Sequence, residues 1–326
     1  MKIAVYSPNW IGDAVMALPF VQQLKIDNKD SEIFIFCKEW VSGVYKNHPA
    51  VSQIIPIIDK DLNGLMRIIR TGSSLKPRGF DRFYTLTDSF RSAFIMWLSG
   101  SEKRYGYKTQ FRSVFLTNVL MIPKGNIHRH EKYLRLIQAG SIYSNIPKIH
   151  LSTHEVEWAE KEIDQLGFKN PIALFPFSVA SNRTIPSQIL KNWLNGSGDQ
   201  YLVFGSENDM GLAKTLINTC EGASIKSICG KYDLRESIAL ISACKFSLAT
   251  DSGLGHVSTA LGIPTVSFFG VGVESKTAPI GKKNVVIKYC NPCTGGSCTW
   301  QNKDRKCIRE ISRSDIDFAI NSIANL

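Results

Sequence analysis

The segment Asp251-Ser-Gly-Leu-Gly-His256 decides the fold, because of the two apolar stretches that flank it. Residues 246–249 before it have the composition of a short buried strand, and residues 264–269 after it have that of a second one. Residues 257–261 are expected to form a helix that ends at Gly262. A strand, a glycine-bearing turn, a helix and a second strand form a β–α–β unit, from which parallel sheets are built.

The turn of this unit has the features of an anion site. Free backbone N–H groups and the positive end of the helix dipole converge where such a helix begins. Gly253 and Gly255 allow a ligand to approach the main chain closely. Asp251, Ser252 and His256 can add directional hydrogen bonds, so we expect a site for a ligand that carries a diphosphate.

Alternating strand and helix signals predict two α/β domains. Short apolar strands alternate with amphipathic helices from residue 2 to residue 98, the pattern loosens near residue 150, and it restarts at residue 172. Such alternation indicates parallel sheets with helices on both faces. We predict one domain over residues 1–150, a second over residues 151–312, and a final helix over residues 313–326 that could pack back on the first domain.

Composition and charge favour a globular protein with a polyanionic partner. Of the 326 residues, 44% are hydrophobic and 21% are charged, and no apolar run reaches the roughly 20 residues that span a bilayer. A strand follows Met1-Lys2 without a signal peptide, so we expect a cytoplasmic location. The net charge is +11, and residues 66–112 hold ten basic and three acidic side chains. This excess favours a nucleic acid, an anionic membrane or a phosphorylated substrate.

The eight cysteines fall into two groups. Those that lie singly among apolar neighbours are interpreted as buried reduced thiols: Cys37, Cys220, Cys229 and Cys244. The other four lie close together in the sequence: Cys290, Cys293, Cys298 and Cys307. C-x2-C is a common zinc ligand pair, so a structural Zn²⁺ site is one interpretation. A packed loop of reduced thiols is preferred, because the other spacings are not those of a standard zinc finger.

Ligands of parallel sheets bind beyond the carboxyl ends of the strands, so the polar loops there are the candidate sites. The loop after the first strand has one carboxylate, Asp13, which is either a helix N-cap, the commonest role of such an Asp, or a general base. The loop that opens the second domain contains Arg183 and suits either a phosphate contact or an ordinary polar turn. After the next strand, Glu207 or Asp209 could accept hydrogen bonds from a ribose.

Together these loops resemble glycosyltransferase family 9, the ADP-heptose:lipopolysaccharide heptosyltransferases, and most closely its heptosyltransferase II group. The resemblance covers nearly the whole chain and rests on several short motifs in order. They are Asn9-Trp-Ile-Gly-Asp-Ala-Val-Met16, Asp88-Ser-Phe-Arg-Ser-Ala93 with Arg104-Tyr-Gly-Tyr107, His130-Glu-Lys-Tyr-Leu134, Phe204-Gly-Ser-Glu-Asn-Asp209, Asp251-Ser-Gly-Leu-Gly-His256 and Phe268-Phe-Gly270.

The resemblance implies a GT-B fold, in which two Rossmann-like doubly wound domains face a central cleft. It implies acceptor binding by the first domain and nucleotide-sugar binding by the second. The implied donor-binding positions are Ser178, Arg183, Glu207, Asp209, Asp251, Ser252, Gly253, Leu254, Gly255 and His256. The implied acceptor-binding positions are Asn9, Trp10, Gly12, Ser89, Arg91 and Arg104.

The implied reaction is inverting transfer of heptose from ADP-heptose to the inner core of lipopolysaccharide, with Asp13 as the general base. No metal cofactor is required by this mechanism, because the protein supplies the positive charge at the leaving group. The expected acceptor is lipid A bearing Kdo. Such an acceptor would hold the enzyme peripherally on the inner face of the inner membrane.

Two alternatives remain at this point. In the loop before Pro186, the residues Pro176-Phe177 and Ile185 depart from the family pattern, which keeps a different nucleotide sugar or acceptor open. A basic nucleic-acid-binding protein with a Cys-rich metal site is the second alternative, but it leaves the turn at residues 251–256 unexplained. The sequence lacks G-x-G-x-x-G, which argues against a nicotinamide dehydrogenase.

Overall fold

The structure, a computed structural model, describes residues 1–137, 142–270, 272–288, 308 and 310–324. The chain divides into two compact units, Met1–His150 and Leu151–Leu326. In the described part of each unit, one six-stranded parallel sheet forms the framework. Strand residues are buried on both faces of the central strands, as expected where helices cover both sides of a parallel sheet.

The first unit has a doubly wound sheet. Its strands are β1 Lys2–Tyr6, β2 Glu32–Lys38, β3 Gln53–Ile57, β4 Arg82–Thr85, β5 Lys103–Tyr107 and β6 Asn118–Leu120. Their order in the sheet is β3-β2-β1-β4-β5-β6, which is the Rossmann order. The helices are α1 Ile11–Met16, α2 Leu18–Asp27, α3 Leu65–Ser74, α4 Phe90–Leu98 and α5 Arg129–Leu134, with 3-10 segments at Glu39–Val44, Asp59–Leu62, Lys76–Arg78 and Arg112–Phe115.

The second unit repeats this topology. Its strands are β7 Ile172–Phe175, β8 Gln200–Val203, β9 Ser224–Ser227, β10 Phe246–Thr250, β11 Thr265–Phe268 and β12 Asn284–Ile287. The order β12-β11-β10-β7-β8-β9 is again the Rossmann order. The described helices are α6 Thr153–Gln165, α7 Ser187–Leu194, α8 Met210–Thr219, α9 Leu234–Ser242, α10 Gly253–Ala260, α11 Glu274–Thr277 and α12 Arg313–Ala324, with 3-10 segments at Ser181–Arg183 and Glu207–Asp209.

The last helix, α12, belongs to the second unit. Ile316, Ala319 and Ile323 recur at helical spacing on one face and are buried in the core of that unit. The helix packs on β11 and β12, and Nε1 of Trp193 on α7 donates to the carbonyl of Ile311 just before it, at 2.8 Å. The apolar face of this helix is thus buried in the core of the second unit, and the suggestion that the helix also packs back on the first domain stays a prediction.

An ion pair joins two helices of the second unit. On α9, Arg235 donates from Nε to Oε1 of Glu155 on α6 at 2.7 Å, and from Nη2 to Oε2 at 2.9 Å. These hydrogen bonds from Arg235 are the main cause that lowers the pKa of Glu155 to about 2. Two parallel hydrogen bonds between mostly buried side chains fix both the distance and the orientation of the helices.

Replacing Arg235 with methionine is expected to lower the free energy of unfolding by about 2–4 kcal/mol at pH 7, because a mostly buried carboxylate loses its cation. The pKa of Glu155 is depressed from 4.5 to about 2, so the stabilisation is complete above pH 4.5 and is lost as the pH falls towards 2. Urea unfolding at pH 7 and in acid measures the effect. A difference between wild type and variant that does not shrink in acid would contradict this account.

Candidate active site

The strand order of the first sheet reverses between β1 and β4, so the loops after these strands flank a crevice at its carboxyl edge. The first of these loops leads into α1, which begins at Ile11 with Trp10 as N-cap and without a side-chain cap. Asp13 is therefore the third residue of α1. The interpretation of Asp13 as a simple N-cap is wrong, and another role must account for its carboxylate.

The carboxylate of Asp13 is held by Arg129, the first residue of α5. Nη1 of Arg129 donates to Oδ2 of Asp13 at 2.9 Å. The Asp13 side chain is 14% exposed and that of Arg129 is 44% exposed, so the pair is open to solvent on the arginine side. Burial lowers the pKa of Arg129, but Asp13 and Tyr133 outweigh it and the pKa is raised overall. A cation at this distance favours an ionised carboxylate, which is the form that a general base needs.

A second charged cluster fixes the neighbouring loops of the same unit. Lys132 on α5 lies 2.6 Å from Oδ2 of Asp88, and Nη2 of Arg112 lies 3.6 Å from Oδ1. Arg112 is fully buried and donates to the carbonyls of Tyr107 at 2.9 Å and Thr87 at 2.5 Å. Burial lowers the pKa of Arg112, and Asp88 opposes this. The cluster ties the loops after β4 and β5 to α5.

Sequence reasoning gave no site role to Arg112, Arg129 or Lys132, although Lys132 lies in the quoted motif at residues 130–134. The signal that could have found two of them is the polar run at residues 128–132, which forms the N-cap and the first turn of a short helix and precedes its apolar residues. No local pattern connects this run with Asp13, because the hydrogen bond joins residues 116 positions apart.

Three predicted acceptor residues lie near the start of α1. The carbonyl of Asn9 accepts a hydrogen bond from Nε1 of Trp40 at 3.1 Å, which fixes this loop to the segment after β2. Trp10 is 61% exposed and Gly12 is buried within the helix. Trp10 is thus placed to contact a ligand, whereas the burial of Gly12 keeps it from direct contact with one.

The other three predicted acceptor residues differ in their surroundings. Ser89 is the N-cap of α4 and accepts from the backbone N–H of Ser92 at 3.2 Å. Arg91 is exposed in the first turn of that helix. Arg104 lies within β5, and its guanidinium donates to the carbonyls of Phe115 at 2.6 Å and Ser101 at 2.5 Å. The contacts of Arg104 are those of a structural residue.

In the second unit the strand order reverses between β7 and β10, and the loops after these strands are joined by an ion pair. Nη1 of Arg183 lies 3.1 Å from Oδ2 of Asp251, whose side chain is 6% exposed. Two further contacts join the same loops. Thr250 Oγ1 donates to the carbonyl of Arg183, and Ser178 Oγ donates to the carbonyl of Asp251 at 3.5 Å. The structure therefore brings together three of the predicted donor residues.

The N-terminus of α10 is the predicted anion site. Ser252 precedes the helix, but its hydroxyl does not cap it. This Oγ atom is buried and has no hydrogen-bond partner among the described residues. A buried hydroxyl beside the free N–H groups of Gly253, Leu254 and Gly255 has the chemistry that a phosphate oxygen would satisfy. His256 is buried in the first turn, with 4% of its surface exposed.

Two glycines keep the space around this turn open. A Cβ atom on Gly272 would lie 2.3 Å from Oδ2 of Asp251, so a side chain there would displace the carboxylate. A Cβ atom on Gly255 would lie 3.0 Å from Cβ of Ala249 on the preceding strand. Gly255 therefore allows α10 to begin directly against β10, and Gly272 preserves the position of Asp251.

The two candidate ribose carboxylates have different roles in the structure. Oδ2 of Asp209 accepts from the backbone N–H of Ser206 at 2.8 Å and from its hydroxyl at 2.7 Å, forming a capping box. Glu207 is exposed in the same turn. The carboxylate of Asp209 is thus occupied in shaping the turn, and Glu207 is the better placed to accept hydrogen bonds from a ligand.

The cysteines follow the two-group prediction as far as the structure describes them. Those predicted as buried reduced thiols are confirmed: Cys37, Cys220, Cys229 and Cys244. The predicted zinc ligands Cys290, Cys293, Cys298 and Cys307 lie outside the described residues, so that site stays a prediction. Elsewhere, the described residues contain no group of three or more His, Cys, Asp or Glu side chains suited to a metal ion. No helix within these residues is long and apolar enough to cross a membrane.

Two Rossmann-order sheets, each with polar loops at its reversal point, are the architecture of the GT-B fold. The model of Glycosyltransferase family 9 (heptosyltransferase) matches residues 68–303, so this chain belongs to that family. The resemblance seen in the sequence is thereby confirmed, as is the assignment of a glycosyltransferase.

Individual relatives agree with this assignment. Lipopolysaccharide heptosyltransferase 2 of Escherichia coli (strain K12) is 26% identical over 308 residues, which cover 88% of each chain. The solved structure of E. coli ADP-heptose lps heptosyltransferase II has a TM-score of 0.84 at 22% identity, over 99% of this chain and 98% of that chain. E. coli heptosyltransferase WaaC with ADP-2-deoxy-2-fluoro heptose has a TM-score of 0.72 at 16% identity, over 99% of both chains. The structural similarities establish the shared fold.

Proposed function

We propose that this chain transfers heptose from ADP-heptose to the inner core of lipopolysaccharide, with inversion at the anomeric carbon. The observation that carries the proposal is the pair of strand-end sites: a paired carboxylate in the first unit, and an anion site with an arginine in the second. The family of the chain and the names of its relatives support heptose as the sugar and lipopolysaccharide as the acceptor.

Asp13 is proposed as the general base. Its carboxylate removes the proton from an acceptor hydroxyl, whose oxygen then attacks the anomeric carbon from the face opposite the ADP group. The ion pair with Arg129 keeps the carboxylate ionised and oriented before the acceptor arrives. Because Arg129 is partly exposed, its guanidinium can turn towards an anionic group of the acceptor when Asp13 takes the proton.

The second unit is proposed to bind the donor. The free N–H groups at the start of α10 and the hydroxyl of Ser252 would bind the diphosphate, and Glu207 would accept hydrogen bonds from the ribose. The guanidinium of Arg183 would meet the negative charge that develops on ADP as the glycosidic bond breaks. These groups supply the positive charge that another enzyme would take from a metal ion, so we propose that no metal is required.

The departures from the family pattern do not favour a different donor. Phe177 and Ile185 are both buried in the core of the second unit, with 8% and 2% of their surfaces exposed. Both side chains pack against other apolar residues, so their identities reflect core packing. The basic first unit is in turn proposed to bind the phosphorylated, Kdo-bearing core of lipid A, which would place the enzyme at the cytoplasmic face of the inner membrane.

An assay of ADP release tests this proposal directly. Purified protein is incubated with ADP-heptose in the presence and absence of a lipopolysaccharide core that lacks heptose. We expect ADP release only when both are present, and a lower rate with ADP-glucose or UDP-glucose. Release that does not depend on acceptor, or equal rates with the other nucleotide sugars, would overturn the heptosyl assignment.

Replacing Arg129 with glutamine tests the proposed role of the ion pair. Loss of a cation at 2.9 Å makes the ionised form of Asp13 less favourable, so the acidic limb of the pH profile of kcat/KM should move to higher pH. Arg129→Lys should shift the limb less, since it keeps a charge. An unchanged limb in the glutamine variant would show that Arg129 does not act through Asp13.

A further inference from the structure

An exposed aromatic surface begins at the carboxyl edge of the first unit and continues along α4. Phe90 and Trp97 on α4 are 46% and 47% exposed, and Phe111 and Val114 in the segment after β5 are 96% and 77% exposed. Phe115 connects the two α4 residues, because its ring centroid lies 5.1 Å from that of Phe90 and 5.7 Å from that of Trp97. Phe111 and Val114 precede Phe115 in the same segment. We call Phe90, Trp97, Phe111, Val114 and Phe115 the aromatic surface. Isolated exposed apolar residues are common, whereas several exposed apolar residues grouped on two adjoining segments are typical of an interaction site.

The backbone presents Phe111 to solvent at an energetic cost. Gln110 and Phe111 both have left-handed φ angles, of 46° and 57°, which bulky side chains rarely adopt. Neighbouring contacts hold this conformation: Oε1 of Gln110 accepts from the N–H of Phe90 at 3.1 Å, and the next residue, Arg112, is fully buried. The fold therefore holds the backbone of an almost completely exposed aromatic residue in a costly conformation, and the Phe111 side chain makes no contribution to the core that would require it.

The charges around the aromatic surface have one dominant sign. Arg91 follows Phe90 and is exposed, Lys108 lies in the loop that carries Phe111 and is exposed, and α3, which packs on α4, adds exposed Arg67 and Arg70. Residues 66–112 contain ten basic and three acidic side chains in all. Aromatic side chains surrounded by cations are typical of proteins that bind anionic lipid surfaces, where the rings enter the headgroup layer and the cations remain at its surface.

The position of this surface also suits a lipid-borne acceptor. Phe90 follows β4 and Phe111 follows β5, while Asp13 follows β1, and these three strands are neighbours in the sheet. All three residues therefore lie at the same edge. More apolar side chains are exposed at this edge, with Met66 at 76% at the start of α3 and Met121 at 72% just after β6.

We propose that the aromatic surface docks on an anionic lipid bilayer and thereby brings the carboxyl edge of the first unit to a membrane-embedded acceptor. This inference rests on the proposed function for the identity of the acceptor, whereas the lipid contact itself rests on the exposed rings, the strained loop and the adjacent cations. Apolar insertion and electrostatic attraction act together, so both should be needed for stable binding.

Vesicle flotation with the full chain tests the contact. The vesicles are phosphatidylcholine alone, or phosphatidylcholine mixed with phosphatidylglycerol. We expect binding to the mixed vesicles that weakens with added salt, and little binding to phosphatidylcholine alone. The double variant Phe111→Asn/Val114→Ser should bind the mixed vesicles about tenfold less tightly or weaker still. Asparagine adopts left-handed φ more readily than phenylalanine, so this variant should remain folded, which its thermal melt would verify.

Phe318→Ser provides the matched control, because Phe318 is an exposed aromatic residue of the second unit, at 75%, outside the aromatic surface. It should bind vesicles like the wild type. Absence of wild-type binding to mixed vesicles, or equal binding by the double variant, would overturn the proposal. A wild-type oligomer that dissociates in the double variant without lipid would instead identify a second copy of this chain as the occupant, and would equally overturn it.

Activity on a soluble, delipidated core oligosaccharide separates this inference from the proposed function. The double variant should retain wild-type activity on the soluble acceptor and lose activity on the same core presented in mixed vesicles. Vesicle binding without heptosyl transfer on either acceptor would refute the proposed function and leave the docking surface standing. Transfer to the soluble acceptor without vesicle binding would refute the docking surface alone.

Discussion

Replacing Asp13 with asparagine is expected to lower kcat by about 10²–10⁴-fold while ADP-heptose still binds. Asparagine has nearly the same shape and can still contact Arg129, but its amide cannot take a proton from the acceptor hydroxyl. The loss should therefore appear in the chemical step, with little change in the dissociation constant of the donor. Stopped-assay ADP release gives kcat, and titration calorimetry with ADP-heptose gives the donor affinity.

A matched control distinguishes the loss of the general base from the loss of one negative charge. Asp27 is an exposed carboxylate at the far end of α2 in the same unit, and Asp27→Asn removes the same charge away from the crevice. This variant should keep wild-type kcat. If Asp13→Asn instead stays within about tenfold of the wild type, the base is another group and Asp13 serves to hold Arg129.

The elements that position the two sites could be predicted from the sequence because their strands are buried on both faces. β7 and β10 are continuous apolar or small-residue runs, each followed by a polar loop, and such runs are recognisable without knowledge of their partners. The loops after β7 and β10 could therefore be identified as candidate sites, whereas the strand order that makes them neighbours was not predicted. The loop that bears Arg183 and the turn at residues 251–256 were predicted separately, and the structure joins them by the ion pair.

Strands near the sheet edges were harder to predict, for a physical reason. β5 reads Lys-Arg-Tyr-Gly-Tyr and β9 reads Ser-Ile-Lys-Ser, so neither has the continuous apolar pattern of a central strand. Both are specified mainly by pairing with a neighbouring strand. The helix α9 is different, because its capping box between Asp233 and Glu236 was readable in the sequence and was missed.

Long-range pairing limits what the sequence predicts about the first site. Asp13 was identified from its place after β1. Its partner Arg129 lies on a short helix after β6, and the two residues come together only when the whole sheet has assembled. The cluster of Asp88, Arg112 and Lys132 has the same origin, since its members follow three different strands. Local periodicity specifies elements, and the contacts between loops depend on how those elements assemble.

Replacing Arg183 with methionine is expected to lower kcat/KM by about 10²–10³-fold. The guanidinium lies beside the predicted diphosphate site, and its positive charge would be worth most in the transition state, when ADP acquires negative charge. ADP affinity should fall as well, because ADP carries the same diphosphate. The kcat/KM of Arg183→Lys should lie between those of the wild type and Arg183→Met, since lysine keeps the charge but cannot reproduce the planar geometry of arginine.

The stability of the Arg183 variants must be measured alongside their activity, because Arg183→Met leaves the buried carboxylate of Asp251 without its cation. A moderate fall in the melting temperature of the methionine variant, with a smaller fall for lysine, is therefore part of the expectation. Lys191→Met, at an exposed cation of the same unit, controls for net charge and should leave ADP affinity unchanged. If Arg183→Met is folded and binds ADP as tightly as the Lys191 variant, the arginine does not meet the diphosphate. In that outcome the donor site would consist of the α10 N-terminus and Ser252, and the ion pair between Arg183 and Asp251 would be structural.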